Sequence, residues 1–218
     1  MDAASFESLS SDLRALVTTI PWRWGQIQNN RTDDKINMFQ IDSYAELERR
    51  ISQLNPDDQN YLKRRWYLWK CSQCDEYLLY CNNKVEKNPN QYDKLYDVEI
   101  HNYYRFDIKG TVIPQGMRQQ AKNVIEHPEK MIDFYYDRQS YGRRYDIQNR
   151  LFIVHHSFYN EDREMLLRCA WKTKCDAYSF FCNNIEKIKL YKTHGVIAGI
   201  IFILEYSIGE TEYKIYGF

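Results

Sequence analysis

The sequence predicts an α/β fold, a small central mixed β-sheet flanked by helices. Residues 92–114, YDKLYDVEIHNYYRFDIKGTVIP, hold two β-rich runs joined by a short polar link. In NRLFIVHHS, residues Leu151 to Val154 form a short wholly apolar run, the pattern of a strand buried on both faces. Long stretches on either side carry apolar residues at helical spacing. The 218 residues are enough for one domain with a sizeable core. They divide into an N-terminal helical extension over 1–56 and a core over 57–218.

Charged residues make up 28% and hydrophobic residues 44% of the chain, ordinary for a globular protein. Aromatics reach 16%, with 19 Tyr, which points to a core and surfaces built from rings with polar edges. Thirty basic residues balance thirty acidic ones. A protein that coats polyanions through its overall field is thereby excluded, and any nucleic-acid contact must come from a local patch. The N-terminus lacks the apolar run of a signal peptide, and the longest apolar stretch, Val196 to Leu204, is too short to span a bilayer. Six cysteines without an export signal predict reduced thiols in a cytoplasm.

Phe6, Leu9, Leu13, Leu16, Val17 and Ile20 predict an amphipathic helix over 5–19, ending before Pro21. Trp22 and Trp24, in the Asn- and Asp-rich stretch that follows, read as packing partners rather than base-stacking rings. Met38 to Ile41 is a candidate short strand. Ser43 with Glu46 three residues on is a capping box, opening a helix with Leu47, Ile51 and Leu54. Asn55-Pro56-Asp57-Asp58 starts a long helix to about Lys84, since Pro suits the first helical position and acids suit the positive helix end. Gln115 to Val124 and Pro128 to Ser140 read as two further helical segments and Glu161 to Glu186 as a long one. From Gly195 to Phe218 the pattern is two strands joined at SIGETE.

WKCSQCDEYLLYCNN, residues 69–83, recurs as WKTKCDAYSFFCNN, residues 171–184, with one residue deleted. Such a repeat marks equivalent helices packed in similar ways, so Asp75 and Asp176 are expected to share a structural role. Glu76, aligned with Ala177 and placed on the inward stripe, is the better site candidate. The Cys71-x-x-Cys74 spacing resembles a zinc knuckle but lies inside a helix, where buried thiols act as small apolar residues. With no glycine-rich phosphate loop and no nucleophile elbow, hydrolytic chemistry in this chain should be metal-based.

Within 92–114, Asp97 and Glu99 share one strand face, as do Asp107 and Lys109. An odd-length loop such as Asn102 to Tyr104 would set Glu99 opposite Asp107 and Asp97 opposite Lys109 on one side. A two-residue loop would put the two strands' charges on opposite faces. Carboxylates clustered with a lysine suit a hard cation such as Mg²⁺.

Asp107-Ile108-Lys109 preceded by Asp97 resembles the PD-(D/E)xK, or restriction-endonuclease-like, nuclease superfamily, with Tyr96 in place of the usual Pro before the first Asp. The resemblance covers about 57–156. It implies a restriction-endonuclease-like core in the order helix, strands, a hairpin carrying the motif, helix, strand. It further implies Mg²⁺ or Mn²⁺ held by Asp97, Glu99 and Asp107, Lys109 at the attacking water, and Glu76 approaching from its helix. Gln139, Arg138 and Arg143 are placed over substrate phosphates, because Arg forks match phosphate oxygens. The expected activity is endonucleolytic cleavage of DNA, or of RNA, in bacterial antiviral defence or DNA processing. The alternative is a catalytically inactive subunit that meets a second copy or a partner protein through the N-terminal helix and the aromatic surface.

Overall fold

The computed structural model describes residues 1–20, 31–90, 95–138 and 148–218. Gln139 and Arg143, together with Trp22 and Trp24, lie outside the described residues, and Arg138 is described only as the last residue of its helix. The chain divides into two compact units, Met1–Tyr77 and Leu78–Phe218. Among the described residues no helix is long and apolar enough to cross a membrane.

The first unit is helical. Asp2 caps α1 (Ala3–Leu16) by accepting from Ser5 N–H, and the helix buries Leu9, Leu13 and Leu16. Ser43 caps α2 (Tyr44–Ile51) by accepting from Glu46 N–H at 3.3 Å, as the capping box predicts. Met38–Gln40 is a 3-10 turn rather than a strand, because the Asn37 side chain accepts from Phe39 N–H and closes a local turn. The long α3 (Pro56–Tyr80) starts at its proline and crosses the unit boundary. Its buried side includes Leu62, Trp66, Cys71, Cys74 and Asp75, with the Trp66 indole donating to Ile41 O at 2.9 Å.

The second unit is built on one mixed sheet in the order β1-β2-β3-β4-β6-β5, with β7 also on β6. The strands are β1 (Val85–Lys87), β2 (Val98–Ile100), β3 (Tyr104–Val112), β4 (Arg150–Ser157), β5 (Tyr191–Thr193), β6 (Val196–Ser207) and β7 (Glu210–Ile215). The first three form an antiparallel meander, and β3, β4 and β6 run parallel. All eight residues of β4 are buried, so the strand is central, as its unbroken apolar run predicts. Neither β1 nor β5 was legible as a strand, since each has only three residues.

The connection from β3 to β4 carries α4 (Ala121–Glu126) and α5 (Glu129–Arg138). Their Val124, Ile125, Met131, Ile132 and Tyr136 pack on Phe152, Val154, Ile200 and Phe202. The expected single helix over 161–186 is instead a 3-10 turn, α6 (Glu164–Leu167) and α7 (Trp171–Asn184), broken where Trp171 N–H turns back to Cys169 O. Helix α7 covers the opposite face of the sheet. A Cβ on Gly199 would come within 2.8 Å of the Phe181 ring and 3.0 Å of Leu151, so this approach requires glycine.

The two copies of the repeat are both helical but are not buried alike. Asp75 is buried and Asp176 exposed, Cys74 is buried and Cys175 exposed, and Cys81 is exposed where Cys182 is buried. The shared role expected for Asp75 and Asp176 is therefore absent, because the two helices present different sides to their neighbours.

The turn between β2 and β3 is His101-Asn102-Tyr103, with His101 (φ 54°) and Asn102 (φ 56°) in the left-handed region. The His101 ring contacts Cys182 O through Nε2 at 2.9 Å and ties the turn to α7. Asn tolerates this conformation and β-branched residues do not. Asn102→Val should therefore cost about 1–2 kcal/mol, read as a lower urea midpoint with unchanged slope, while Asn102→Gly should be neutral or slightly stabilising.

Candidate active site

The three-residue turn sets the register Val98↔Phe106, Glu99↔Arg105 and Ile100↔Tyr104. The loop is odd in length as expected, but it begins one residue earlier, so the pairing slides by two. Glu99 therefore lies opposite Arg105, not Asp107, and its Oε2 accepts from Arg105 Nε at 2.5 Å. That pairing removes Glu99 from the proposed metal set. Arg105 also lies over the Tyr96 ring, 4.9 Å from its centroid.

Asp97 lies just before β2, where its backbone N–H donates to Phe106 O at 2.8 Å. Its Oδ2 accepts from Ile108 N–H at 2.7 Å, so the carboxyl closes the end of the β2–β3 ladder beside the Asp107-Ile108-Lys109 stretch. The carbonyl of Asp97 accepts from Asn88 N–H at 3.1 Å and from the Tyr80 hydroxyl at 3.2 Å. The Asn88 amide holds Tyr96 O at 2.8 Å as well. Asp97 is thus fixed by backbone on three sides.

Asp107 is buried at 8% exposure. Its Oδ1 accepts from Lys109 Nζ at 2.9 Å, the same-face contact expected two residues apart on a strand. Its Oδ2 is buried without a hydrogen bond, 3.3 Å from Arg150 Nε. Arg150 is itself 4% exposed and stacks over the Tyr136 ring, 5.0 Å from its centroid. Burial raises the Tyr136 phenol well above its ordinary range, and its hydroxyl donates to Gln148 O at 3.0 Å.

Burial raises the Asp97 pKa, opposed by the Ile108 N–H, pushed further by the charge of Asp107 and relieved by Lys109. Two carboxyls in a poorly solvated corner, one of them with an orphaned oxygen, form a site that gains from a cation. Lys109 and Arg150 supply part of that charge within the chain. The residues fit a divalent ion in part. Asp97 and Asp107 are suitable hard oxygen donors, but among the described residues no group of three or more His, Cys, Asp or Glu side chains converges as a metal site.

Arg150, which the sequence does not single out, is the buried counter-ion of Asp107. Its position directly before an apolar strand was the available signal. Glu76 is half-buried in the first unit, and the fully buried carboxylate of that turn is Asp75. The buried side of α3 at this turn is Cys74, Asp75, Leu78 and Leu79, and Glu76 is not on it. The chain matches no protein-family model, no curated protein and no solved structure.

The raised Asp97 pKa makes the folded state bind its proton more tightly than the unfolded chain does. Folding thus bears no penalty below the ordinary carboxylate range, near pH 4, and loses stability as pH rises through the raised value. Asp97→Asn keeps an oxygen for Ile108 N–H and removes that penalty. Urea titrations should show the variant more stable than wild type at neutral pH and equal to it near pH 3. A variant less stable at neutral pH would refute the assignment of burial as the dominant effect.

Proposed function

We propose that the second unit is a metal-dependent phosphodiesterase acting on DNA, with a restriction-endonuclease-like core. The observation that carries this reading is the meeting of Asp97 and Asp107-x-Lys109 at the end of one antiparallel ladder. The chain order supports it too. Helix α3, the β1–β3 meander, helices α4 and α5, then parallel β4 follow the helix, strands, helix, strand sequence of the superfamily.

Asp97 and Asp107 would hold Mg²⁺ or Mn²⁺. Such an ion, when bound, supplies Lewis-acid polarisation of a phosphoryl oxygen and a more acidic water. Lys109 Nζ, partly exposed and anchored on Asp107, would orient the attacking water and stabilise charge on the phosphorane. The Ile108 N–H keeps the Asp97 carboxyl aimed along β3. Glu99 takes no part, being held by Arg105.

A second reading, a nuclease-like fold used for binding or assembly without cleavage, is favoured by one specific observation. The buried Arg150 guanidinium lies 3.3 Å from Asp107, where it offsets charge that a metal would otherwise neutralise. In either reading the fold and the charged corner are the same. They differ in whether a divalent ion displaces the reliance on Arg150.

Supercoiled plasmid incubated with Mg²⁺ separates the two. Cleavage by wild type that falls by at least about 100-fold in Asp107→Ala and in Lys109→Ala supports the enzyme, as expected for groups that stabilise transition-state charge. Cutting that is equal in wild type and both variants, or absent in all three with Mg²⁺ and Mn²⁺, overturns it.

A further inference from the structure

The sheet carries a second, unrelated cleft at its other end. Asp107 pairs with Arg150 at the start of β4, so the carboxyl ends of β3 and β4 point away from the Asp97 and Asp107 corner. After β3 the chain turns onto the face covered by α4 and α5; after β4 Phe158 still packs on that face, and the chain crosses to the face covered by α7 by Arg168, beside Gly110. The strand that follows α7, β5, is antiparallel to β6, so the right-handed crossover rule for parallel neighbours does not force α7 to the same face. Adjacent parallel strands whose continuations leave for opposite faces part at their carboxyl ends. That crevice is where open α/β sheets take ligands.

A cavity of about 600 Å³ lies there, lined by Arg118, Lys122 and Asn123 from the segment after β3, by His156 of β4, and by Phe158 and Glu161 from the segment after β4. This volume is within the range of small-molecule sites. Behind it, Glu164 is buried at 3% exposure and accepts two bonds from Arg118, at 2.7 and 2.6 Å. The same carboxylate lies 3.0 Å from His156 Nδ1. His156 is only 5% exposed. Its ring is held edge-on by Phe158 at 4.6 Å, and Phe158 is in turn stacked on Tyr206 at 4.7 Å.

A carboxylate on Nδ1 fixes both the ring's orientation and the proton on that nitrogen. Nε2 is left as the free ring nitrogen of a buried, cavity-lining histidine, with no partner among the described residues. A purely structural His–Glu pair would have no need of an open nitrogen beside a cavity. Arg118 neutralises Glu164 and lies 3.7 Å from Glu161. With Glu164 held by Arg118, Lys122 and His156 are the remaining basic donors on the cavity wall, and the complementary ligand is a small anion. In the imidazolium both ring nitrogens donate, which lets Nε2 bind an oxyanion directly.

We propose that the crevice at the carboxyl ends of β3 and β4 is a second ligand site for a small phosphate-bearing anion, bound by His156 Nε2 and Lys122 with Glu164 positioning the imidazole. It is independent of the Asp97 and Asp107 corner and of the activity proposed there.

The test is a titration of the full chain with inorganic phosphate near pH 6, following the Cε1–Hε1 resonance of His156, assigned with His156→Gln. The expected result is a saturable shift with Kd of about 10 mM or tighter, weakened at least about fivefold in Lys122→Ala, with the His101 and His194 resonances unmoved. Lys122 is exposed, so its removal does not threaten folding. Parallel titrations with AMP distinguish free phosphate from a phosphomonoester, the tighter of the two naming the natural form. A shift no larger than chloride produces at equal ionic strength, or one that Lys122→Ala leaves unchanged, overturns the proposal.

Discussion

The register between β2 and β3 is the constraint on which the charged corner depends. Side chains alternate across a strand, so a slip of one residue would exchange Val98, Ile100 and Phe106, all fully buried, for Asp97, Glu99 and Asp107. Burial of the first set and the left-handed turn at His101 and Asn102 allow only one pairing. Its consequence is electrostatic. Asp97 and Asp107 are brought to the same poorly solvated end of the ladder, where each must be compensated by a hydrogen bond or a cation. The Ile108 N–H, Lys109 and Arg150 are those compensations, and each comes from a strand whose position the register already sets.

The central strand β4 links this corner to the opposite end of the sheet. Its first residue, Arg150, is the buried counter-ion of Asp107, and its seventh, His156, is the imidazole held by Glu164. Between them lie Phe152 and Val154, packed under α4 and α5. Two buried ionic groups at the ends of one apolar strand are costly to desolvate: Glu164 is met by two bonds from Arg118, whereas Asp107 Oδ2 has the 3.3 Å ion pair with Arg150 without a hydrogen bond. The side of the sheet covered by α7 has its own buried histidine. His155 Nδ1 donates to Thr111 O at 3.0 Å, and burial with nearby Lys174 and Arg168 holds its pKa well below the ordinary value.

Much of the fold was legible because its signals are local or periodic. The unbroken apolar run before His155 marked the central strand, the Ser43 and Glu46 pair marked a helix start, and alternation over 98–109 marked the hairpin. What was not legible depends on where chains meet. The three-residue β1 and β5 are strands only because neighbours pair with them. The break before α7 follows from one backbone bond at Cys169. At the site, Asp97 and Asp107 were read on neighbouring runs, and they meet at one end of the β2–β3 ladder. Glu99 was misassigned because pattern sets the face of a residue but not which residue stands opposite. Arg150 was missed as a partner for the same reason: 42 residues of chain separate it from Asp107, and only the parallel pairing joins them.

In the proposed reading, the Asp97 and Asp107 carboxyls form a site completed by a divalent cation. Electron paramagnetic resonance of Mn²⁺ measures this without reference to any substrate, since the signal of the free hydrated ion falls as the ion is bound. The account predicts that one Mn²⁺ is taken up per chain below about 1 mM, and that Asp97→Asn with Asp107→Asn abolishes uptake. Loss of free signal that is the same in wild type and the double variant, or no loss in either, would contradict it.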